Sequence, residues 1–469
     1  MTRPSRVVGA LLTVACLAVA CSADPPPLVD APATTTTTEG TTTVDESADD
    51  EPQPTWQTGS SDVLFDQDEL HTFFLTIPED DLAFLDADPT AEVYVEGELQ
   101  FGGETVSEVG IRYKGSHGAW VGCVDGADRS GAKTCTKLSM KVKINWGEEH
   151  AERLFYDVRK LQFHAVNNDS TLMNDRLGYW TFREAGVVAP RAVHARLVVN
   201  GEFLGVFVLV EQIDGRFTRE HFEDGTGNLY KEVWPIETDG EPADVETVLA
   251  ALRTNEEEAD ISRFMAFSNE LAGAVTADEQ RAVIERWVAV DELVQLLAVD
   301  RFIRHDDGAL HFYCDGPDGE CINKNYYWYD NPTTGLFHLI PWDLDNAFQN
   351  IIAPANRSTP IPDALGGITA DCTNFDNLGN GVYQRSNGCD PIFATMAQYD
   401  DGFATTTELI SSEVLTAGRA QAIITGWQDQ IRDSVALADR DHDDALSFGW
   451  WQASVDDLLV RLAHARDNS

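Results

Sequence analysis

The chain is poor in positive charge. Lys and Arg total 33 against 79 Asp and Glu, a formal net charge of −46 over 469 residues. Nucleic-acid binders need a basic face against the phosphate backbone, so that class is set aside. None of the eight cysteines stands in a C-x-x-C pair, which removes the usual framework for structural zinc. There is no G-x-G-x-x-G loop, so nothing local announces a nucleotide phosphate site. Beyond the N-terminus no apolar run is long enough to span a bilayer, and no internal repeat is visible.

The N-terminus carries a targeting signal. Arg3 and Arg6 precede an apolar segment, Val7 to Ala20, that ends in LAVAC at Cys21. A charged start, a short apolar region and a terminal cysteine resemble a bacterial lipoprotein signal, residues 1–21, with Cys21 as the lipidated residue. The residue three before Cys21 is Ala18 rather than the usual Leu, and LTVAC at Cys16 is a weaker second candidate. An ordinary secreted protein is the alternative. Residues 22–61 are Thr, Pro and acid with almost no apolar content, and read as a disordered tether. The remainder, 62–469, exceeds one small core, so two lobes are expected, 62–240 and 241–469. Localisation is expected to be extracytoplasmic, with membrane contact only through the lipid.

Apart from Cys16 and Cys21, the cysteines form three close sequential pairs: Cys123 and Cys135, Cys314 and Cys321, Cys372 and Cys389. In an oxidising compartment these read as three local disulfides. Residues 101–160 hold ten Lys and Arg against eight Asp and Glu. Arg112, Lys114, Lys137, Lys141 and Lys143 there read either as a solvated surface or as a local anion site.

The pattern is α+β. Residues 63–160 are mostly β. KLSMKVKIN alternates strictly, with Leu138, Met140, Val142 and Ile144 opposite Lys137, Ser139, Lys141 and Lys143. A helix is expected over 169–185, capped by Asp169 or Ser170 and ended by Gly186. ARLVVNGEFLGVFVLVEQID is a hairpin turning at Asn200-Gly201, and its second arm delivers Glu211. Residues 245–305 are helical, with a capping box at Thr276 and Glu279. The strand NYYWYD follows, then a strand running into PWDLD, and a helical tail from about 405.

PWDLD raises the chemical question. If the chain stays extended there, Asp343 and Asp345 share a face, and two like charges side by side call for a cation. Mg²⁺ takes oxygen ligands of this kind. The other reading is a helix cap at Asp343 or Asp345. Upstream, Asp306-Asp307-Gly308 leaves a helix into a turn, and Asn325 opens a strand. An acid, an amide and two more acids at strand exits are the parts that phosphoryl transfer uses.

These segments resemble the CotH family of spore-coat-type, atypical secreted protein kinases. The resemblance is carried by RYKGS (112–116), KLSMKVKI (137–144), DSTLMNDRLGYW (169–180), VNGEFLGVFVLVEQID (199–214), NLYK (228–231), HDDG (305–308), NYYWY (325–329) and PWDLDNAF (341–348). It implies an atypical kinase-like two-lobed fold, β-rich first and mainly helical after. It also implies transfer of the γ-phosphate of ATP, with Mg²⁺ or Mn²⁺, to Ser/Thr hydroxyls of secreted or cell-surface proteins. By position Asp307 is the catalytic acid, Asn325 and Asp343 are metal ligands, and Asp345 is a ligand or its support. Arg112, Lys114, Lys141, Lys143 and Lys231 are the phosphate candidates, Lys141 before Lys143. Glu211 is expected either to pair with that lysine or to help hold a metal. Two departures stand out. The segment closed by Cys314 and Cys321 lengthens the path from Asp307 to Asn325, and Gln349 follows Phe348 where the family has Gly. A non-catalytic scaffold organising an envelope or coat layer is the competing reading, and nucleotidyl transfer is a third.

Overall fold

The computed structural model describes residues 60–115, 117–120, 122–125, 131–352, 372–376 and 381–468. The signal segment, Cys21 and nearly all of the tether lie outside the described residues. Seven strands close into a barrel: β1 (His71–Thr76), β2 (Val95–Phe101), β3 (Glu104–Tyr113), β4 (Met140–Lys143), β5 (Lys160–His164), β6 (Ala192–Val199) and β7 (Glu202–Val210). The order around the barrel is β1-β2-β3-β4-β5-β7-β6, with β1 and β6 parallel. Met140 and Val142 point into the barrel core with Phe73, Leu99, Phe163 and Phe207. Burying side chains of this size contributes roughly 1.5–3 kcal/mol each. The β6–β7 turn has Asn200 at φ 49° and Gly201 at φ 86°, the left-handed pair that a two-residue type I′ turn requires. The Asn200 amide also clamps Ile77, donating to its carbonyl at 2.8 Å and accepting from its N–H at 2.8 Å, which fastens the barrel seam.

Seven further strands follow: β8 (Asn228–Lys231), β9 (Phe312–Cys314), β10 (Cys321–Ile322), β11 (Tyr326–Asp330), β12 (Phe337–Pro341), β13 (Phe375–Asp376) and β14 (Tyr383–Arg385). They form an antiparallel sheet β12-β11-β8 and a small sheet β10-β9-β14-β13. Helices Val245–Ala251, Ser262–Gly273, Ala277–Trp287 and Val290–Ile303 surround the first of these, and Ala417–Asp441 and Phe448–Asn468 close the C-terminal part. The capping box is formed: Thr276 Oγ1 accepts the Glu279 N–H, and Glu279 Oε2 accepts the Thr276 N–H. A second, larger core joins these helices to the outer face of β7 through Val206, Val208 and Val210. The architecture is α+β, β-rich first and helical after. No helix among the described residues is long and apolar enough to cross a membrane.

All three disulfides are formed, Cys123–Cys135, Cys314–Cys321 and Cys372–Cys389, which suits an oxidising, extracytoplasmic compartment. Two local expectations are corrected. The 169–185 helix starts later, at Asn174. Asp169 does not cap it from the N-cap position; its carboxylate caps the preceding turn, accepting the N–H groups of Thr171 and Asn174 at 2.8 and 2.7 Å. Around PWDLD the chain is not extended. Asp343 has φ 56°, so the strand ends at Pro341 and the two aspartates do not share a strand face. No helix begins there, so neither is a helix cap.

Candidate active site

The segment after β12 is held by one face of the helix Asn174–Glu184. Asn174 Nδ2 donates to the Asp345 carbonyl at 2.9 Å, Asp175 Oδ1 accepts the Leu344 N–H at 2.9 Å, and the Tyr179 hydroxyl accepts the Asp343 N–H at 2.9 Å. Asp175 and Tyr179 are four apart and so share a face, with Asn174 beside them at the first position of the helix. Gly178, between them, lets Leu344 approach: a Cβ on Gly178 would lie 2.7 Å from Leu344 Cδ1. On the other side, His305 reaches the Asp343 carbonyl from Nε2 at 2.9 Å and Asp300 from Nδ1 at 3.1 Å. Both acceptors favour the doubly protonated ring, and although burial opposes the charge, Asp300 raises the His305 pKa. The left-handed Asp343 is thus fixed from two sides, by buried Tyr179 at its N–H and buried His305 at its carbonyl, which is how strain of this kind is held in place.

Around this segment the acids converge. Asp307 Oδ1 accepts from the Tyr313 hydroxyl at 2.6 Å. Asn325, itself left-handed at φ 61°, donates its amide to the Asp307 carbonyl at 2.8 Å and to Oδ2 at 3.0 Å. That orientation leaves the Asn325 amide oxygen for a cation. Burial raises the Asp307 pKa, against the Tyr313 hydrogen bond, His305 and Lys324, and Asp343 pushes it further up. Asp345 is raised well above the ordinary carboxylate range, first by burial and then by Asp343, Asp175, Asp307 and Asp169. Several carboxylates with this little compensation are the donor set a hard divalent cation fits.

His164, Asp175 and Asp343 offer ligand atoms within 4.8 Å of one another. His164 is not available as a ligand, however. Its Nδ1–H donates to Asp175 Oδ2 at 2.8 Å, and its Nε2 accepts from Lys114 Nζ at 2.7 Å. Of that group Asp175 and Asp343 remain, both acting on the charge of Asp345 nearby; with the Asn325 amide oxygen these are oxygen donors of the kind Mg²⁺ or Mn²⁺ takes.

The positive side of the site is Lys114 and Lys231. Lys114 directly follows β3, 5.6 Å from the Trp342 ring centroid. Burial lowers its pKa to about 8, while Asp343 and Asp175 pull it up. Lys231 contacts Glu232 at 3.6 Å. Burial works against its charge, but Glu232, Tyr327 and Asp343 raise its pKa. Trp342, buried beside Lys114, is edge-on to His164 at 5.6 Å and to Tyr327 at 5.8 Å.

The other basic candidates sit differently. Arg112 is tied to Glu92 by an ion pair of 2.5 Å. Glu92 also accepts the Gly115 N–H at 3.0 Å, so this pair shapes the turn beside Lys114. Lys141 lies opposite Arg112 and Gln162 on β4, and Lys143 lies 6.0 Å from the Tyr94 ring centroid. Glu211 is a correction. It pairs with neither strand lysine: its carboxylate is held by Arg191, Nη2 at 2.6 Å and Nε at 3.1 Å, and by His221 Nε2 at 3.0 Å. Burial would raise its pKa, but His221 and Arg191 take it down to about 2. This is a buried structural cluster.

Sequence reasoning gave no role to Asp175, His164, Tyr313 or Trp342. Asp175 stands within the DSTLMNDRLGYW segment and Trp342 within PWDLD. His164 ends a strand buried on both faces, where hydrophobic alternation gives no signal.

The CotH kinase protein family model matches residues 111–460, a span that takes in every residue of this site. Among curated proteins, the Inner spore coat protein H of Bacillus subtilis (strain 168) is 26% identical over 202 residues, 41% of this chain and 51% of that protein. The chain therefore spans about half the length of this relative.

Proposed function

The chain belongs to the CotH kinase protein family, and from that premise we propose that it transfers the γ-phosphate of ATP to Ser/Thr hydroxyls of secreted or cell-surface proteins. The observation that carries the reading is the meeting of Asp307, Asn325, Asp343, Asp345 and Asp175 with the two lysines Lys114 and Lys231, both of which feel the charge of Asp343. A metal–nucleotide site needs these two halves, oxygen ligands for the cation and ammonium groups for the phosphates.

In this reading Asp343 and Asn325 hold Mg²⁺ or Mn²⁺, with Asp345 and Asp175 as further ligands or their support. When bound, the cation neutralises phosphate charge. Lys114 and Lys231 hold the phosphates. Asp307 orients the acceptor hydroxyl and takes its proton as the oxygen bonds to the γ-phosphorus and ADP leaves. Buried Trp342 covers Lys114 and keeps water from it.

The test is transfer of γ-³²P from ATP by the full chain, with Mn²⁺ or Mg²⁺ and casein as acceptor, beside Asp307→Ala and Asp343→Ala. Label in the wild type that disappears in both folded variants is the expected result. No label, with no metal-dependent ATP binding by calorimetry, would leave the competing reading, a kinase-like scaffold in an envelope or coat layer. The name of the spore coat relative supports that reading.

A further inference from the structure

We infer that Tyr313, carried on the disulfide-closed hairpin β9–β10, is the positioning residue for Asp307, and that this hairpin is therefore a working part of the active site. The inference rests on the phosphoryl-transfer reading for the role of Asp307 itself.

Three observations carry it. First, the Tyr313 hydroxyl donates to Asp307 Oδ1 at 2.6 Å while Asn325 donates to Oδ2 at 3.0 Å. Each oxygen is held by one donor, so the carboxylate plane is fixed. Each oxygen still has acceptor capacity for a substrate hydroxyl. Second, Tyr313 does not sit on a loose loop. It is paired with Ile322 of β10 on one side and Gln384 of β14 on the other. The next residue, Cys314, is opposite Cys321 and bonded to it. Third, Lys324, at the far end of the hairpin, lies 5.4 Å from the Tyr313 ring centroid, so both ends of the insert converge on the same carboxylate.

A base that must accept a proton from a substrate hydroxyl works best when its orientation is set beforehand by rigid neighbours. Here a sheet strand supplies that rigidity and a phenol supplies the bond. The segment that lengthens the path from Asp307 to Asn325 thus shapes the acceptor side of the site directly.

The test is steady-state transfer by the full chain carrying Tyr313→Phe, which removes one oxygen. A hydrogen bond to a charged group is lost, so kcat is expected to fall about tenfold to a hundredfold, with KM for ATP and the thermal midpoint unchanged. Cys314→Ser/Cys321→Ser should lower kcat in the same way. Adding Tyr313→Phe to it should cause little further loss, because both act through one contact. An unchanged kcat in Tyr313→Phe, a change in ATP KM instead, or label found on Tyr313 itself would overturn the proposal. Crystal structures of the wild type and Tyr313→Phe read the positioning apart from any transfer. The Asp307 carboxylate should turn or lose order in the variant, and an unmoved carboxylate would overturn the inference even if the protein proved to be no kinase.

Discussion

Lys114 donates to His164 Nε2 at 2.7 Å, and the same ring donates from Nδ1 to Asp175 at 2.8 Å. The buried carboxylate fixes the imidazole tautomer, and the imidazole fixes the lysine. A cation on the barrel is thereby tied to the helix that also holds Asp343. His164→Ala should release Lys114 and raise the Kd for ATP about tenfold. Lys114→Met should do the same, and the double variant should be little worse than either alone. Calorimetry with Mn²⁺ present reads all three, and additive losses would show that the two residues act separately.

Nucleotide affinity should depend on alkaline pH. Burial lowers the Lys114 pKa to about 8, and phosphate binds the protonated form. Affinity should therefore be full below about pH 8 and fall as pH rises through it. In Lys114→Met the curve should be flat across that range. A wild-type curve that stays flat to about pH 9.5, roughly one and a half units above that value, would contradict the role given to Lys114.

Gly178→Ala tests how the metal segment is seated. The new Cβ would lie 2.7 Å from Leu344 Cδ1 and 3.1 Å from Leu344 Cβ. Overpacking of this kind costs about 1–3 kcal/mol, and the displaced chain is the one carrying Asp343 and Asp345. Mn²⁺ affinity, followed by electron paramagnetic resonance, should drop together with the thermal midpoint. Loss of stability with metal affinity intact would mean that the helix supports the fold but not the ligands.

Glu211→Gln should behave as a structural change. Arg191 and His221 overcome the effect of burial and bring the Glu211 pKa from 4.5 down to about 2. The folded chain thus keeps this carboxylate ionised to lower pH than the unfolded chain does. The resulting stabilisation, about 3 kcal/mol at most, is present above about pH 4.5 and lost as pH falls towards 2. Denaturant unfolding should show the variant less stable at pH 7, with the difference shrinking below pH 4. Its ATP affinity should match the wild type, and a large loss of affinity would return Glu211 to the nucleotide site.

Much of the fold was legible in the sequence because local chemistry specifies it. Asn200-Gly201 dictates its turn, Thr276 and Glu279 their cap, and the alternation through Met140 and Val142 its strand. The three cysteine pairs are close enough in sequence to join locally. The site was legible as a set of acids and lysines near strand ends, but its geometry was not. Asp and Asn enter the left-handed region more readily than other non-glycine residues, but that preference does not single out Asp343 and Asn325 among the chain's many Asp and Asn residues; their neighbours in the fold do. His164 and Asp175 are joined by folding β5 against the helix, and Glu211 finds Arg191 across a hairpin. Long-range pairings of this kind carry no periodicity.

In the proposed reaction it is the γ-phosphoryl group that leaves ATP. Parallel incubation of the full chain and casein with γ-³²P-ATP and α-³²P-ATP, in Mn²⁺, tests it most directly. Covalent label from the γ position alone, absent in Asp307→Ala, is the predicted result. Label from the α position would make the protein a nucleotidyl transferase, and label from neither would contradict catalysis altogether.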